Sequence, residues 1–250
     1  MASQPIYQFY AELYDYEPKM WRRFQTLNNI SMARLGYIIM TLFEMQASHL
    51  FNFEVPFEKK FYKFVGEHIE KESNGKVIDL FDKSPELAKF RIELQNEYSF
   101  TEFEGRTLDA AKTKVKNVLS HETETMNFSY DYGDGWVIDL TLEKIFEDKE
   151  LPGKDLPRVL EGEGFGIIED CGGPGGLEEI IKAYRVKKGS RYQEYSEWLG
   201  MEDIDLSTFD RDDMNFRLKK IPRIFADAYE YGLEPTKQSM DLLMRKYKQT

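Results

Sequence analysis

Residues 6–14 (IYQFYAELY) put Tyr7, Phe9, Ala11 and Leu13 at alternate positions, the period of a half-buried β-strand. Glu17-Pro18 marks a turn, and residues 20–27 (MWRRFQTL) read as a second strand, close enough to pair antiparallel with the first. Ser31 is placed to cap a helix in which Leu35, Ile38, Ile39, Leu42 and Phe43 recur at helical spacing, giving one apolar face to cover a sheet. Residues 49–55 (HLFNFEV) alternate again. The start of the chain therefore reads β-β-α-β.

The middle is less regular. Phe57, Phe61 and Phe64 or Val65 suggest a short helix, and Lys76 to Leu80 a short strand, so residues 57–105 read as an insertion or a second layer. Leu108, Ala111, Val115, Val118 and Leu119 predict an amphipathic helix over 107–119. Residues 126–146 form the strongest hairpin pattern. Met126, Phe128, Tyr130 and Tyr132 alternate on the way in, and Trp136, Ile138, Leu140 and Leu142 on the way out. Gly133-Asp134-Gly135 supplies the turn between them. Residues 151–176, punctuated by glycine and proline, read as a long loop ending in Glu169-Asp170-Cys171-Gly172-Gly173-Pro174-Gly175-Gly176. A helix follows, with Leu177, Ile180, Ile181 and Tyr184 on its apolar face, and the tail reads as helical around 195–199, 212–221, 223–231 and 236–248. The pattern predicts an α+β fold: an antiparallel sheet with packed helices, one domain over 1–222, and a C-terminal helical extension over 223–250.

Composition changes this picture in three ways. Hydrophobic residues make up 41% of the 250 positions, enough for a real core. The single cysteine, Cys171, excludes an internal disulfide and a multi-cysteine zinc site. No apolar run approaches the ~20 residues of a membrane span, and no basic-then-apolar leader pattern opens the sequence, so the expectation is a soluble cytoplasmic protein. The formal charge of -11 is uneven. Residues 121–180 hold 16 acidic and 4 basic side chains, while the rest of the chain is almost neutral. Such a segment is a solvated surface, a cation site, or a surface for a basic partner. Two basic runs, Lys112–Lys116 and Lys182–Arg191, are the places where DNA contact would have to occur.

The candidate chemistry lies in two bends. Asp131 and Asp134 flank the hairpin turn, and two carboxylates that converge suit a hard divalent cation such as Mg²⁺, Ca²⁺ or Mn²⁺. Glu169 and Asp170 precede the glycine run. No Gly-Lys-Ser/Thr follows those glycines, so they do not read as a nucleotide loop. Of the histidines, His49 opens a strand, while His68 and His121 sit in polar contexts without metal-ligand spacing. No Gly-x-Ser-x-Gly elbow or kinase signature is present. Cys171, with no His nearby in sequence, reads as a small buried residue.

Five ordered motifs carry a resemblance. They are Pro18-x-x-Trp21-Arg22-Arg23, His49-Leu50-Phe51-x-Phe53, Tyr130-Asp131-Tyr132-Gly133-Asp134-x-Trp136, Glu161-Gly162, and Glu169-Asp170-Cys171-Gly172-Gly173. Together they resemble the open-reading-frame-three family of root-inducing plasmids, also described as insertion-sequence passenger proteins, over most of residues 5–220. The resemblance implies a compact α+β domain carried by plasmids, insertion elements and phage-like DNA, and it brings no established reaction. Members of that family usually have an acidic residue and then His after the tryptophan, where this chain has Val137 and Ile138. They often have Cys and Pro before Glu-Asp-Cys-Gly-Gly, where this chain has Gly166, Ile167 and Ile168. A metal site built on that His and Cys would be lost here.

Three functions follow as expectations. The first is a non-enzymatic accessory protein of mobile elements whose acidic region binds a basic protein surface, such as that of a host nucleic-acid-binding or defence protein. Its binding residues would be Asp131, Asp134, Trp136, Glu169 and Asp170, with Trp21, Arg22 and Arg23. The second is a hydrolase, phosphodiesterase-like, with a divalent metal held by His49, Asp131, Asp134, Glu169 and Asp170. The third is a DNA-binding protein. The first two require the 130–136 turn and the 169–173 loop to lie side by side.

Overall fold

A computed structural model describes residues 4–56, 89–94, 106–205 and 207–225. The expected helix and strand within 57–88, His68, and the helices expected beyond residue 225 lie outside the described residues. The strands are β1 (Ile6–Leu13), β2 (Trp21–Leu27), β3 (Phe51–Pro56), β4 (Lys89–Glu93), β5 (Arg106–Asp109), β6 (Thr125–Tyr130), β7 (Trp136–Phe146) and β8 (Arg158–Glu163). They form one sheet in the order β5-β4-β3-β6-β7-β1-β2-β8. Every neighbouring pair is antiparallel except β4 and β5, which run parallel and make the sheet mixed.

The alternation read from the sequence gives the sheet a dry face and a wet one. Phe9, Phe24, Phe53, Phe128, Trp136, Ile138 and Leu140 are fully buried on one side. Across that face lies helix α1 (Met32–Leu42), whose Ser31 Oγ accepts from the Arg34 N–H. α1 is buried on nearly all sides rather than along one stripe. Helices further along the chain cover its far side: Met214 and Leu218 of α5 (Arg211–Leu218) and Ile221 and Ile224 of α6 (Ile221–Ile224) join the core, and Phe225 stacks on Tyr37 at 4.4 Å. Each such large apolar side chain contributes roughly 1.5–3 kcal/mol by leaving water. Residues 224 and 225, assigned from the sequence to an extension, are thus part of the core.

Two readings of the sequence are corrected. The helix expected over 107–119 is strand β5 followed by a single turn, α2 (Val115–Val118). Leu108 pairs in register with Ile92 of β4, and the backbone beyond it forms local turns and also bonds outward to the start of α1. Ala110 and Thr113 carbonyls accept from Ala33 and Met32, and Val115 and Lys116 donate to Ile30 and Asn28. Apolar spacing at 3.6 residues therefore arose from a segment stitched onto the start of α1. The long loop expected over 151–176 contains β8, an edge strand that pairs with β2. After the loop come α3 (Gly173–Val186) and α4 (Ser190–Leu199).

Candidate metal centre

The topology gathers one end of the sheet. β1 and β6 finish there, and β2, β3 and β7 begin there, because β1 is antiparallel to β2 and β7, and β6 to β3 and β7. The hairpin turn after β6, the loop joining α1 to β3, and the chain leaving β8 converge at that end. The backbone fixes the first two against each other: the Asp131 N–H donates to the Leu50 carbonyl at 3.1 Å.

Asp131 stands at φ +49°, and its Oδ1 accepts from the Gly133 N–H at 3.1 Å. That leaves Oδ2 turned to His49, 3.6 Å from its Nε2. The His49 ring meets the Tyr130 ring edge-on at 5.8 Å. Glu169 is 3% exposed at its side chain. Its Oε1 accepts from the Tyr130 hydroxyl at 2.7 Å and the Gln46 N–H at 2.6 Å. Its Oε2 is buried with no hydrogen-bond partner among the described residues and lies 3.6 Å from His49 Nε2. Asp170, with φ +57° and a side chain 72% exposed, brings Oδ1 to 3.4 Å from the same nitrogen. The Tyr130 hydroxyl also accepts from the Ser48 N–H. Burial, and then the charge of Glu169, raise the Tyr130 pKa above the usual phenol range, so the hydroxyl stays a donor to that carboxylate.

Three carboxylates thus surround one imidazole nitrogen at separations too long for hydrogen bonds. They suit a different arrangement. Ligands about 2.1 Å from a tetrahedral ion lie about 3.4 Å from one another. One ligand atom from each of His49, Asp131 and Glu169 lies within 4.8 Å of the others. Three protein ligands of N and O type, with an open mouth, match a catalytic zinc-type site better than an octahedral Mg²⁺ site. Asp170 stands at the mouth.

The remaining expected residues are placed elsewhere. Asp134 is not a member of the cluster: its Oδ2 accepts from the Gly172 N–H at 3.2 Å, and its carbonyl lies where a Cβ on Gly173 would fall, 2.2 Å away. It locks the two bends together. Trp136 is fully buried in the core, so it offers no binding surface. Arg22 is also fully buried, where it donates to the carbonyls of Trp21, Leu42, Glu163, Gly164 and Phe165 and fastens the chain that leads to Glu169. Trp21 stacks on Tyr10 and donates to Glu163, and Arg23 pairs with Glu143 and Glu161 on the outer face of the sheet. Burial pushes the Cys171 thiol up to about 12, which fits a small packed residue and not a nucleophile. Ile138 and Ile167, standing where the resembled family carries His and near its Cys, are fully buried core. The cluster forms without either position, so their loss does not remove it.

Sequence reasoning missed three supports: the Tyr130 hydroxyl, the Gln46 N–H, and the buried pair of Arg217 and Glu44. That pair ties α5 to the loop carrying His49, with Asp213 as a further partner of Arg217. The spacing of Asp213 and Arg217, four apart on a predicted helix, was the available signal for the last.

A family model described as plasmid pRiA4b ORF-3-like protein matches residues 5–216. The chain belongs to this family. The uncharacterized protein y4hQ of Sinorhizobium fredii (strain NBRC 101917 / NGR234) is 32% identical over 99 residues, which is 39% of this chain and 50% of that protein. The chain thus spans about half the length of that relative. A crystal structure of a protein of unknown function, MM3350 from Methanosarcina mazei Go1, shares the fold with a TM-score of 0.63 at 21% identity, over 85% of this chain and 98% of that one. None of the helices among the described residues is long and apolar enough to cross a membrane.

Proposed function

We propose that this plasmid ORF-3-like protein is a metal-dependent hydrolase whose divalent ion is held by His49 Nε2, Asp131 Oδ2 and Glu169 Oε2. The observation that carries this reading is the buried Glu169 oxygen without a hydrogen-bond partner among the described residues, set among ligand atoms at ion-bridging distances. A bound zinc-type ion brings the pKa of its water toward 7 and so supplies hydroxide at neutral pH. Asp170, exposed and 3.4 Å from His49, is the group placed to take a proton at the mouth. Counting Asp170, three carboxylates and one divalent ion leave a net charge of about −1. That favours an uncharged ester or amide substrate over a phosphodiester.

The other two readings draw less support. In the acidic segment, Glu143 and Glu161 pair with Arg23, and Glu178 and Glu179 with Lys182 and Arg191. Those pairs also neutralise part of the second basic run, as do Lys187 with Asp203, and Lys112 with Asp109 in the first. The decisive experiment loads the protein with Zn²⁺ and follows hydrolysis of 4-nitrophenyl acetate and bis(4-nitrophenyl) phosphate. Turnover of the acetate that Glu169→Gln abolishes supports the proposal. Turnover that survives Glu169→Gln, or none with either compound, contradicts it.

A further inference from the structure

A cleft of about 380 Å³ opens at the same end of the sheet as the metal centre. Its walls are the β1–β2 turn, the end of β8, one face of α3, and residues 203–205 and 207. Pro18, Met20, Ile181 and Ile204 make much of the lining apolar. Its size is that of a small-molecule site.

The polar groups of the cleft are mostly spoken for. Lys19 pairs with Glu12, and Lys187 with Asp203. Glu163 accepts from the Trp21 indole. Asp205 accepts from Ser207 and Thr208, which holds it well below the usual carboxylate range, at about 2. Two groups are left. Arg185 makes no ion pair among the described residues, and the Tyr16 hydroxyl, on a residue 5% exposed, is buried with no hydrogen-bond partner. Both line the cleft, where the charges of Glu178, which is paired with Lys182, and of Arg185 act on Tyr16 in opposite senses. A guanidinium with no ion pair and a phenol with no hydrogen-bond partner among the described residues, beside an apolar wall, are complementary to one ligand chemistry.

We infer that this cleft binds a compact amphipathic anion, its carboxylate or phosphate taken by Arg185 and Tyr16 and its apolar body lying against Met20, Ile181 and Ile204. The inference stands apart from the hydrolase reading, because it uses none of the metal-centre residues. Burial holds Tyr16 up to about 12, so the hydroxyl remains a donor at any physiological pH.

The test titrates 3-phenylpropionate and phenyl phosphate, with 3-phenyl-1-propanol as the uncharged control, into the full chain by calorimetry, with and without EDTA. One anion or both should bind with one-to-one stoichiometry regardless of EDTA, and whichever binds names the head group. Arg185→Gln, an exposed change that should leave the melting temperature unaltered, should weaken binding by roughly tenfold or more, and Tyr16→Phe by several-fold. Silence from both anions, equal binding of the alcohol, or an affinity indifferent to Arg185→Gln would overturn the inference. Binding that EDTA abolishes would also overturn it, by moving the contact to the metal centre.

Discussion

Gly173→Ala tests the contact between the two bends that makes the centre. Gly173 stands at φ +73°, and a Cβ there would meet the Asp134 carbonyl oxygen at 2.2 Å. A non-glycine residue in the left-handed region costs roughly 1–2 kcal/mol. The added carbon needs about 3.3 Å from that oxygen, so one bend must retreat by roughly 1 Å. Both partners are backbone, and neither side is a flexible tip that yields cheaply. The total cost should be ~2–4 kcal/mol, read as a lowered urea midpoint at unchanged slope. Retreat also breaks the Gly172–Asp134 hydrogen bond and shifts Asp131 relative to Glu169, so Zn²⁺ affinity should fall by about tenfold or more. Gly175→Ala is the matched control. It lies two residues on, in the first turn of α3, has nothing within 4 Å of its Cβ position, and has no positive φ. It should be neutral or stabilising by up to about 1 kcal/mol. If Gly173→Ala matches Gly175→Ala in both stability and Zn²⁺ affinity, the reasoning about the bends is refuted.

Three further outcomes are expected. Arg217→Met leaves the Glu44 carboxylate buried without its guanidinium and should cost about 3–5 kcal/mol in urea unfolding, with part of that recovered in a Glu44→Leu/Arg217→Met double variant. Tyr130→Phe removes the donor that seats Glu169, so Zn²⁺ affinity measured by competition with a chromophoric chelator should drop roughly 10–100-fold while the far-UV spectrum is kept. Tyr16→Phe deletes a buried hydroxyl with no partner and should raise stability at pH 7 by about 1 kcal/mol. The raised folded-state pKa of Tyr16 means that its contribution to stability is full below its ordinary value of 10.0 and is lost as pH climbs through about 12. The variant's melting temperature should therefore fall less steeply over that alkaline window.

The elements that could be read from the sequence were those whose partners are close in the chain. The β1–β2 hairpin, α1 with its Ser31 cap, and the β6–β7 hairpin all carry their own periodicity and turn chemistry. β5 and β8 do not. β5 is defined by its parallel partner β4, and β8 is an edge strand between glycines and prolines whose pairing is supplied by β2. The site divides along the same line. Asp131, Glu169 and Asp170 stood out as residue types in glycine-bearing bends, and His49 as the residue opening a strand, whereas Asp134, expected as a ligand, is used to bind the bends to each other. Arg22 and Trp136 looked like surface chemistry because charge and indole attract attention, yet both are interior. Arg22 fits there because five backbone carbonyls receive its guanidinium, a partnership that only the fold can bring together.

Calorimetric titration of Zn²⁺ into the chelator-treated chain tests the central claim most directly. One ion per chain, lost in both Glu169→Gln and Asp131→Asn while Asp134→Asn keeps it with weakened affinity, is the predicted result. No heat with Zn²⁺, Mn²⁺ or Mg²⁺, or binding that neither Glu169→Gln nor Asp131→Asn alters, would contradict it.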